Sequence, residues 1–224
     1  MLDKDTIKQI IAKRIAREFH DGDVVTLGIG LPTLAANYIP IEKHIILQSE
    51  NGIIGVGKMP AECEADERIT NAGGRFVTIQ DGGAYFDSFL SFSMIRGGHI
   101  NATVLGGLQV DEEGNLANWL VPGKMVPGMG GAMDLVVGAQ KVIVAMEHTN
   151  KGEPKILKKC TLPLTASHEV DMIITEKGVF TCDKHGLTLI EISPYSNLDD
   201  ISQTTKADFK ISPTIKYCVN SDDY

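Results

Sequence analysis

Residues 44–57 read HIILQSENGIIGVG and place a single carboxylate, Glu50, between two apolar runs. The first run, HIIL, is typical of a buried β-strand, and the Asn51-Gly52 dipeptide favours a tight hairpin turn. On spacing alone, Glu50 is then a solvated residue on a turn. The second run, IIGVG, argues against this, because it lacks the alternation of a hairpin with one face in water. We therefore expect Glu50 at the end of a buried strand, in a glycine loop that solvates it poorly.

Apolar segments of strand type and helix type alternate along the rest of the chain. Helices are predicted over residues 5–19, after Pro32, and over 86–95, 132–139 and 198–207; strands are predicted over 24–30, 44–48, 100–110, 141–146 and 171–175. A hairpin is predicted around residues 184–186, whereas residues 58–75 are expected to be irregular. The alternation predicts an α/β protein with a mostly parallel sheet. Because no linker or repeat interrupts it, we expect one domain over residues 1–224.

The glycines cluster where the predicted strands should end. The chain has 23 of them, and the clusters fall at 28–30, 52–57, 73–74, 82–83, 97–98, 106–107 and 128–131. Ordinary turns explain any single cluster. In open α/β sheets, however, ligands bind outside the carboxyl ends of the strands. The clusters together therefore indicate one rim of a ligand site.

Composition and charge exclude several classes of protein. The net charge of −8 argues against nucleic-acid binding, which needs a basic face to neutralise phosphates. No stretch has 18 consecutive apolar residues, and the N-terminus lacks the residue order of a secretory signal. The four cysteines, at positions 63, 160, 182 and 218, are scattered, and no Cys/His cluster has zinc-like spacing. We therefore expect free thiols, a cytoplasmic location, and no metal, membrane or nucleic-acid partner.

Several familiar catalytic motifs are absent. The segment 28-GIGLPT-33 lacks the third glycine of a dinucleotide fingerprint, and there is neither a Walker A sequence nor a G-x-S-x-G elbow. None of the six histidines lies beside a serine or cysteine in a nucleophile signature. Trp119 is interpreted as a core residue rather than a ligand platform. The dinucleotide-binding enzymes, P-loop proteins and serine hydrolases are thus disfavoured.

Five segments, in order, carry a resemblance to a known family. QSENGIIG, around Glu50, resembles the glutamate signature of the class I coenzyme A transferases. The other segments are 28-GIGLPT-33, 95-IRGGH-99, 107-GLQVDEEGNLANW-119 and 123-GKMVPGMGGAMDL-135. The similarity runs nearly end to end and is closest to the beta subunits of acetate/butyrate–acetoacetate CoA-transferases. It implies the CoA-transferase fold, an open three-layer α/β/α sandwich with a mostly parallel sheet.

The resemblance implies covalent, ping-pong catalysis through Glu50. The γ-carboxylate attacks the acyl-CoA thioester to give an anhydride, and the CoA thiolate then attacks the glutamyl carbonyl. CoA is thus a substrate, transiently covalent on Glu50, and no tightly bound cofactor is expected. A glutamate of ordinary pKa, near 4.3, is ionised at pH 7 and needs no histidine to activate it. The family's oxyanion donor, a backbone N–H, falls on Gly131.

The resemblance also places residues around the nucleophile. Gly28, Gly30, Met129 and Gly130 are expected to line the CoA or acyl pocket. Apolar side chains that include Ile53, Ile54 and Met129 are expected to exclude water from the reactive intermediates. Thr26 stands where relatives commonly have asparagine, which puts in doubt a hydrogen bond to CoA from this position.

Partners and substrates follow from the same resemblance. An alpha subunit of the same fold should share the active site, commonly in an α2β2 assembly. The expected substrates are acyl-CoA and short-chain carboxylic acids, with CoA passing between acetoacetate and acetate or butyrate.

Three alternatives remain open. The beta subunit of a succinyl-CoA:3-oxoacid CoA-transferase would differ only in its acyl group. A sugar-phosphate isomerase shares the architecture, and fold alone does not decide function. A regulatory or assembly subunit would make Glu50 dispensable.

Overall fold

The computed structural model describes residues 2–123, 128–220 and 224 of the chain. Their elements, in order, are α1 (Lys4–Ala16), β1 (Val24–Leu27), a 3₁₀ helix (Leu31–Tyr38), β2 (Ile46–Ser49), β3 (Ile53–Val56), a short 3₁₀ helix (Glu62–Glu64), β4 (Ile79–Tyr85), α2 (Ser88–Arg96), β5 (Ala102–Gly106), β6 (Gln109–Asp111), β7 (Leu116–Ala117), α3 (Ala132–Gly138), β8 (Val142–Ala145), β9 (Thr149–Asn150), β10 (Glu153–Pro154), β11 (Ile156–Leu157), β12 (Met172–Ile174), β13 (Gly178–Asp183), β14 (Gly186–Ile192), α4 (Leu198–Thr204) and β15 (Phe209–Tyr217).

Five parallel strands form the centre of a ten-stranded sheet in the described chain. The order of the sheet is β15-β14-β13-β12-β8-β5-β1-β2-β3-β4. The run from β12 to β2 is parallel throughout, whereas β3 and β4 at one side and β13 and β14 at the other add antiparallel pairings. Strands β6, β7 and β11 form a small separate sheet, and β9 pairs with β10. The predicted α/β class with a mostly parallel sheet is confirmed.

The central strands of the sheet are buried on both faces, which gives the fold three layers. In β8, Val142 and Val144 face one core, and Ile143 and Ala145 face the other. The first core includes side chains of α2, α3 and α4, and the second includes α1. A strand covered on both faces needs apolar residues at every position, which explains the continuous run VIVA. Burying a Val or Ile side chain stabilises the fold by about 1.5–3 kcal/mol.

The helix α1 begins at a clear cap. The carboxylate of Asp3 accepts hydrogen bonds from the backbone N–H groups of Asp5 and Thr6, both at 3.0 Å. Ile11 and Ile15, one turn apart, are fully buried against the sheet. The helix ends at Ala16, earlier than the predicted end at residue 19. No described helix has the length and apolar character needed to cross a membrane.

The Asn51-Gly52 turn forms a hairpin although the second run lacks alternation, and Glu50 follows directly on β2, as expected. Strands β2 and β3 pair antiparallel, with Ser49 opposite Ile53. The reason is that β3 has little surface in water: Ile53, Gly55 and Val56 are buried, and Ile53 and Val56 cluster with Val77. A strand of this kind needs no polar positions.

Other boundaries also differ from the predictions. The segment after Pro32 is a 3₁₀ helix. The strand predicted over 100–110 is divided into β5 and β6, because the chain leaves the main sheet at Gly107, packed closely against Val144. The predictions also missed two edge strands, β4 and β15. Both are largely exposed and carry polar residues, Gly or Pro, so their sequences lack a clear apolar pattern.

Gly52 allows the hairpin to pack, which leads to a first prediction. Its φ is +115°, and an added Cβ would lie 2.0 Å from the carbonyl oxygen of Phe86. We expect Gly52→Ala to lower the free energy of unfolding by at least about 2 kcal/mol, because it combines backbone strain with overpacking. Gly22→Ala is the matched control, since Gly22 has a φ of +86° but open space at its Cβ. It should cost about 1 kcal/mol from strain alone. Equal losses in urea unfolding would contradict the close-packing argument.

Candidate active site

Glu50 lies at the carboxyl end of β2, on the first corner of the hairpin turn. The carbonyl of Ser49 accepts a 3.0 Å hydrogen bond from the N–H of Gly52 and closes this turn. In the parallel register, β2 neighbours β1, and Gln48 is opposite Thr26. Glu50 therefore lies on the edge of the sheet where the central strands end. Its side chain is half-buried.

A second segment reaches Glu50 from 81 residues further along the chain. The backbone N–H of Gly131, at the start of α3, donates to Oε1 of Glu50 at 3.2 Å. A Cβ on Gly131 would lie 2.7 Å from Oε2 of Glu50, so only glycine allows this approach. Gly130, with a φ of +58°, adopts the left-handed conformation that turns the chain before the helix.

These segments enclose a cleft of about 670 Å³ at the ends of β1, β2 and β5. The cleft is lined by every residue that the sequence assigned to catalysis or CoA binding: Glu50, Gly131, Gly28, Gly30, Met129 and Gly130. The N–H of Gly28 donates to the carbonyl of Val104 at 2.7 Å and holds this loop against β5. The structure thus brings the predicted site residues together.

The apolar wall is not the one that the sequence suggested. Ile53 is buried in a separate cluster with Val56 and Val77, and neither Ile53 nor Ile54 is among the described lining residues. The larger apolar side chains that line the cleft besides Met129 are instead Leu27, Ile29, Leu105, Leu108, Trp119 and Leu135.

Several lining residues were missed in the sequence. Trp119, interpreted as a core residue, is half-buried in the wall of the cleft, and its indole N–H donates to the carbonyl of Leu164 at 3.2 Å. The segment predicted to be irregular also contributes to the wall, and no periodic signal marks it. One signal was available in the sequence: the polar side chains of Ser49 and Asn51, which flank Glu50, need hydrogen-bond partners, and this segment provides them. The lining residues from this segment are Asn71, Ala72, Gly73 and Arg75.

The hydroxyl of Thr26 is already occupied within the protein. It donates to Oε1 of Gln48 at 2.6 Å, and Nε2 of Gln48 donates to the hydroxyl of Ser91 at 2.9 Å. All three residues are buried. This chain of hydrogen bonds ties the end of β2 to β1 and α2, so Thr26 serves to position the strand that carries Glu50.

Comparison with known proteins agrees with this geometry. The family model described as "Coenzyme A transferase" matches residues 8–204. The chain belongs to the coenzyme A transferase family. It is 57% identical over 210 residues to the beta subunit of the acetate CoA-transferase of Haemophilus influenzae, covering 93% of this chain and 94% of that one. The assignment makes this chain part of an enzyme, a CoA-transferase, and favours that interpretation over a sugar-phosphate isomerase.

Two further relatives are longer than this CoA-transferase chain. It is 52% identical over 217 residues to the mitochondrial succinyl-CoA:3-ketoacid coenzyme A transferase 2B of Mus musculus, covering 96% of this chain but 42% of that protein. The crystal structure of an acyl-CoA transferase apoenzyme from Escherichia coli O157:H7 superposes with a TM-score of 0.78 at 25% identity. It covers 99% of this chain and 44% of that chain. The chain therefore spans less than half the length of these two relatives.

The environment of Glu50 in the CoA-transferase chain changes its acidity. Burial raises the pKa of Glu50 above its ordinary value, the negative charge of Asp134 adds to the rise, and the N–H of Gly131 partly opposes it. The ionised carboxylate is thus less stabilised than in water, which makes it a better nucleophile. The structure differs here from the ordinary pKa assumed from the sequence. No histidine is among the described lining residues of the cleft.

Gly131 gives a second prediction. We expect Gly131→Ala to lower kcat/KM of the assembled transferase about 10²-fold, because the added methyl group displaces the Glu50 carboxylate. The backbone of Gly131, with φ −85° and ψ 8°, suits alanine, so the melting temperature should change little. Full activity in this variant would show that the approach of Gly131 to Glu50 is not needed. Steady-state kinetics and thermal unfolding together make the measurement.

The raised pKa gives a third prediction. Protonated Glu50 is not nucleophilic, so kcat/KM for acyl-CoA should fall as the pH drops through a midpoint above about 4.3. Asp134→Asn should move this midpoint to lower pH, since it removes a neighbouring negative charge and leaves Arg96, its partner at 2.7 Å, unpaired. Asp199→Asn, at an exposed position of α4, is the matched control and should leave the midpoint unchanged. A midpoint that Asp134→Asn leaves in place, or moves upward, would contradict the assignment.

Proposed function

We propose that this chain is the beta subunit of a CoA-transferase that moves CoA between acyl-CoA and short-chain carboxylic acids, with Glu50 as the nucleophile. The observation that carries the proposal is the hydrogen bond from the Gly131 N–H to the Glu50 carboxylate, at 3.2 Å, inside the cleft at the strand ends. A carboxylate held in this way fits covalent catalysis of CoA transfer.

The first half-reaction needs no proton transfer. An oxygen of Glu50 bonds to the thioester carbonyl carbon, the C–S bond breaks, and CoA leaves as a thiolate. The thiolate then attacks the glutamyl carbonyl of the anhydride, and the original acyl group leaves as a carboxylate. The product is a glutamyl–CoA thioester, and an incoming carboxylate reverses both steps. In every step the nucleophile and the leaving group are both anions, either a carboxylate or the CoA thiolate. No proton has to be moved, so a histidine base is not required.

Gly131 would act when the glutamyl carbonyl is attacked. Oε1 of Glu50 then becomes the oxyanion of a tetrahedral intermediate, and this atom already accepts the Gly131 N–H. The donor is a backbone group, so it is held in place before the charge develops. One such donor is typically worth about 2.7–4 kcal/mol of transition-state stabilisation.

The walls of the cleft suit intermediates that water would destroy. Leu27, Leu105 and Leu135 line it beside Met129. Apolar lining disfavours ordered water near the anhydride and the thioester, and it also raises the free energy of the ionised nucleophile. Gly30 leaves open space at this rim, whereas Gly28 allows the loop to pack on β5, since an added Cβ there would lie 2.9 Å from the carbonyl oxygen of Val104.

We propose that an alpha subunit completes the cleft, in an α2β2 assembly. The Haemophilus influenzae relative is named as a beta subunit, and the mouse relative carries the matching region as 42% of a longer chain. The longer mouse polypeptide has length for a second half beyond the matching region. We propose that a separate alpha chain supplies that half here.

The four cysteines are free thiols in the structure, which agrees with a reducing compartment and supports a cytoplasmic location.

The substrates we propose are acetoacetate with acetate or butyrate. Acetate is the acyl group in the name of the Haemophilus influenzae relative, and the cleft has an apolar lining for a short chain. The 52% identity to the mouse enzyme favours a second candidate, succinyl-CoA as donor to 3-oxoacids. A pocket distinguishes groups that differ by one methylene by only about 1–3 kcal/mol, so a relaxed preference is expected.

The covalent intermediate gives the fourth prediction. The chain, co-expressed with its alpha partner and mixed with acetoacetyl-CoA, should gain a CoA adduct on this subunit in intact-mass analysis. Glu50→Gln should form no adduct and lose at least about 10³-fold in kcat, because the amide is a poor nucleophile. Glu42→Gln, at an exposed position, is the matched control and should behave as the wild type.

Two results would contradict the proposal. An adduct that persists in Glu50→Gln, or unchanged turnover, would remove Glu50 from the chemistry and favour a regulatory subunit. High transferase activity in this chain purified alone would remove the need for the alpha subunit.

A further inference from the structure

Charged side chains are scarce in the cleft. Among its described lining residues, Glu50 and Arg75 are the two that carry a formal charge. Arg75 is exposed, whereas Glu50 is half-buried, which places the guanidinium toward the outer rim. The cleft thus has a nucleophilic anion inside and a cation nearer to solvent.

The guanidinium of Arg75 has no ion pair and no hydrogen bond within the described part of the chain. Other arginines differ in this respect: Arg14 pairs with Glu18 and Glu191, Arg68 with Asp66, and Arg96 with Asp134. A guanidinium carries five N–H donors in a planar fork that fits phosphate and carboxylate oxygens. The donors of Arg75 are therefore available to a ligand.

The backbone around Arg75 is nevertheless well ordered by hydrogen bonds. Thr70 and Phe76 form an antiparallel bridge, and the N–H of Asn71 donates to the carbonyl of Arg75 at 2.9 Å. The side-chain oxygen of Asn71 accepts from the N–H groups of Gly73, at 3.0 Å, and Arg75, at 3.1 Å. We call residues 70–76 the Arg75 loop. It is closed by its own contacts.

The Arg75 loop is attached to the residues on both sides of Glu50. The hydroxyl of Ser49 accepts from the N–H of Ala72 at 2.9 Å. The side-chain amide of Asn51 donates to the carbonyl of Thr70 at 2.7 Å. The backbone that carries Arg75 therefore belongs to the same hydrogen-bonded unit as Glu50, which keeps Arg75 at the cleft that holds the nucleophile.

We propose that Arg75 binds a phosphoryl group of CoA at the rim of the cleft. The inference rests on the proposed CoA-transferase function and adds a substrate-binding residue to it. CoA carries several negative charges on its phosphates, remote from the thiol, and the chain itself has a net charge of −8. A local cation offsets this repulsion, and arginine binds phosphate through two parallel hydrogen bonds. Arg75 takes no part in bond making or breaking.

The experiment compares Arg75→Gln with Arg68→Gln in the assembled αβ enzyme. Arg68 is exposed and paired with Asp66, and it is not a lining residue, so the control makes the same change in net charge away from the cleft. We expect kcat/KM for acetoacetyl-CoA to fall about 10- to 100-fold in Arg75→Gln, as for the loss of a charged hydrogen bond. Arg75→Lys should recover part of the loss, and Arg68→Gln should match the wild type.

A second substrate identifies the anion. Acetoacetyl-pantetheine has the same thioester but no phosphate, so wild type and Arg75→Gln should use it with equal kcat/KM. Equal loss with both thioesters would overturn the proposal, and so would wild-type kinetics of Arg75→Gln with acetoacetyl-CoA. A loss confined to succinyl-CoA would also overturn it and would assign Arg75 to the second carboxylate of that acyl group.

The proposal can fail separately from the function on which it rests. If the wild-type assembly forms no adduct on Glu50, the transferase function fails. If the adduct forms and Arg75→Gln behaves as the wild type, only the role of Arg75 fails. The thermal unfolding of each variant, followed in parallel, should match the wild type, because the exposed Arg75 side chain has no described protein partner.

Discussion

The contact between the Gly131 N–H and the Glu50 carboxylate constrains the rest of the structure. Two segments separated by 81 residues meet with no space for a side chain between them. The loop before α3 must therefore turn through the left-handed Gly130, and β2 must end at the same edge of the sheet. A buried link, from the Thr26 hydroxyl through Gln48 to α2, holds that strand end in place. Together these features keep the Gly131 nitrogen 3.2 Å from Oε1 of Glu50.

The same arrangement places a carboxylate where it is not fully stable. Burial and Asp134 raise the pKa of Glu50, while one backbone N–H lowers it. A fold selected only for stability would have a neutral side chain at this position. Enzymes commonly lose some folding stability at a reactive group, because the activity requires that group to be there. The large two-sided core of the sheet, with apolar strands such as β8, supplies the stability that tolerates this cost.

Some strands and loops could be predicted from the sequence and others could not, for physical reasons. Central strands such as Val142–Ala145 are buried on both faces, so their apolar runs are evident in the sequence. The edge strands Ile79–Tyr85 and Phe209–Tyr217 are largely exposed, and their sequences carry little signal. The Arg75 loop is ordered by single hydrogen bonds from Ser49 and Asn51, which no periodicity reports.

The α/β class, the family resemblance, and the choice of Glu50, Gly131 and the glycine-lined rim were evident before the chain was seen folded. These depend on residue type and order along the chain. Three features emerged only in the folded chain: the charge of Asp134 near Glu50, the packing of Ile53 away from the cleft, and the position of Arg75 at its rim. Such features depend on distances between segments remote in sequence. Those distances are set by the packing of the whole sheet, so no local pattern contains them.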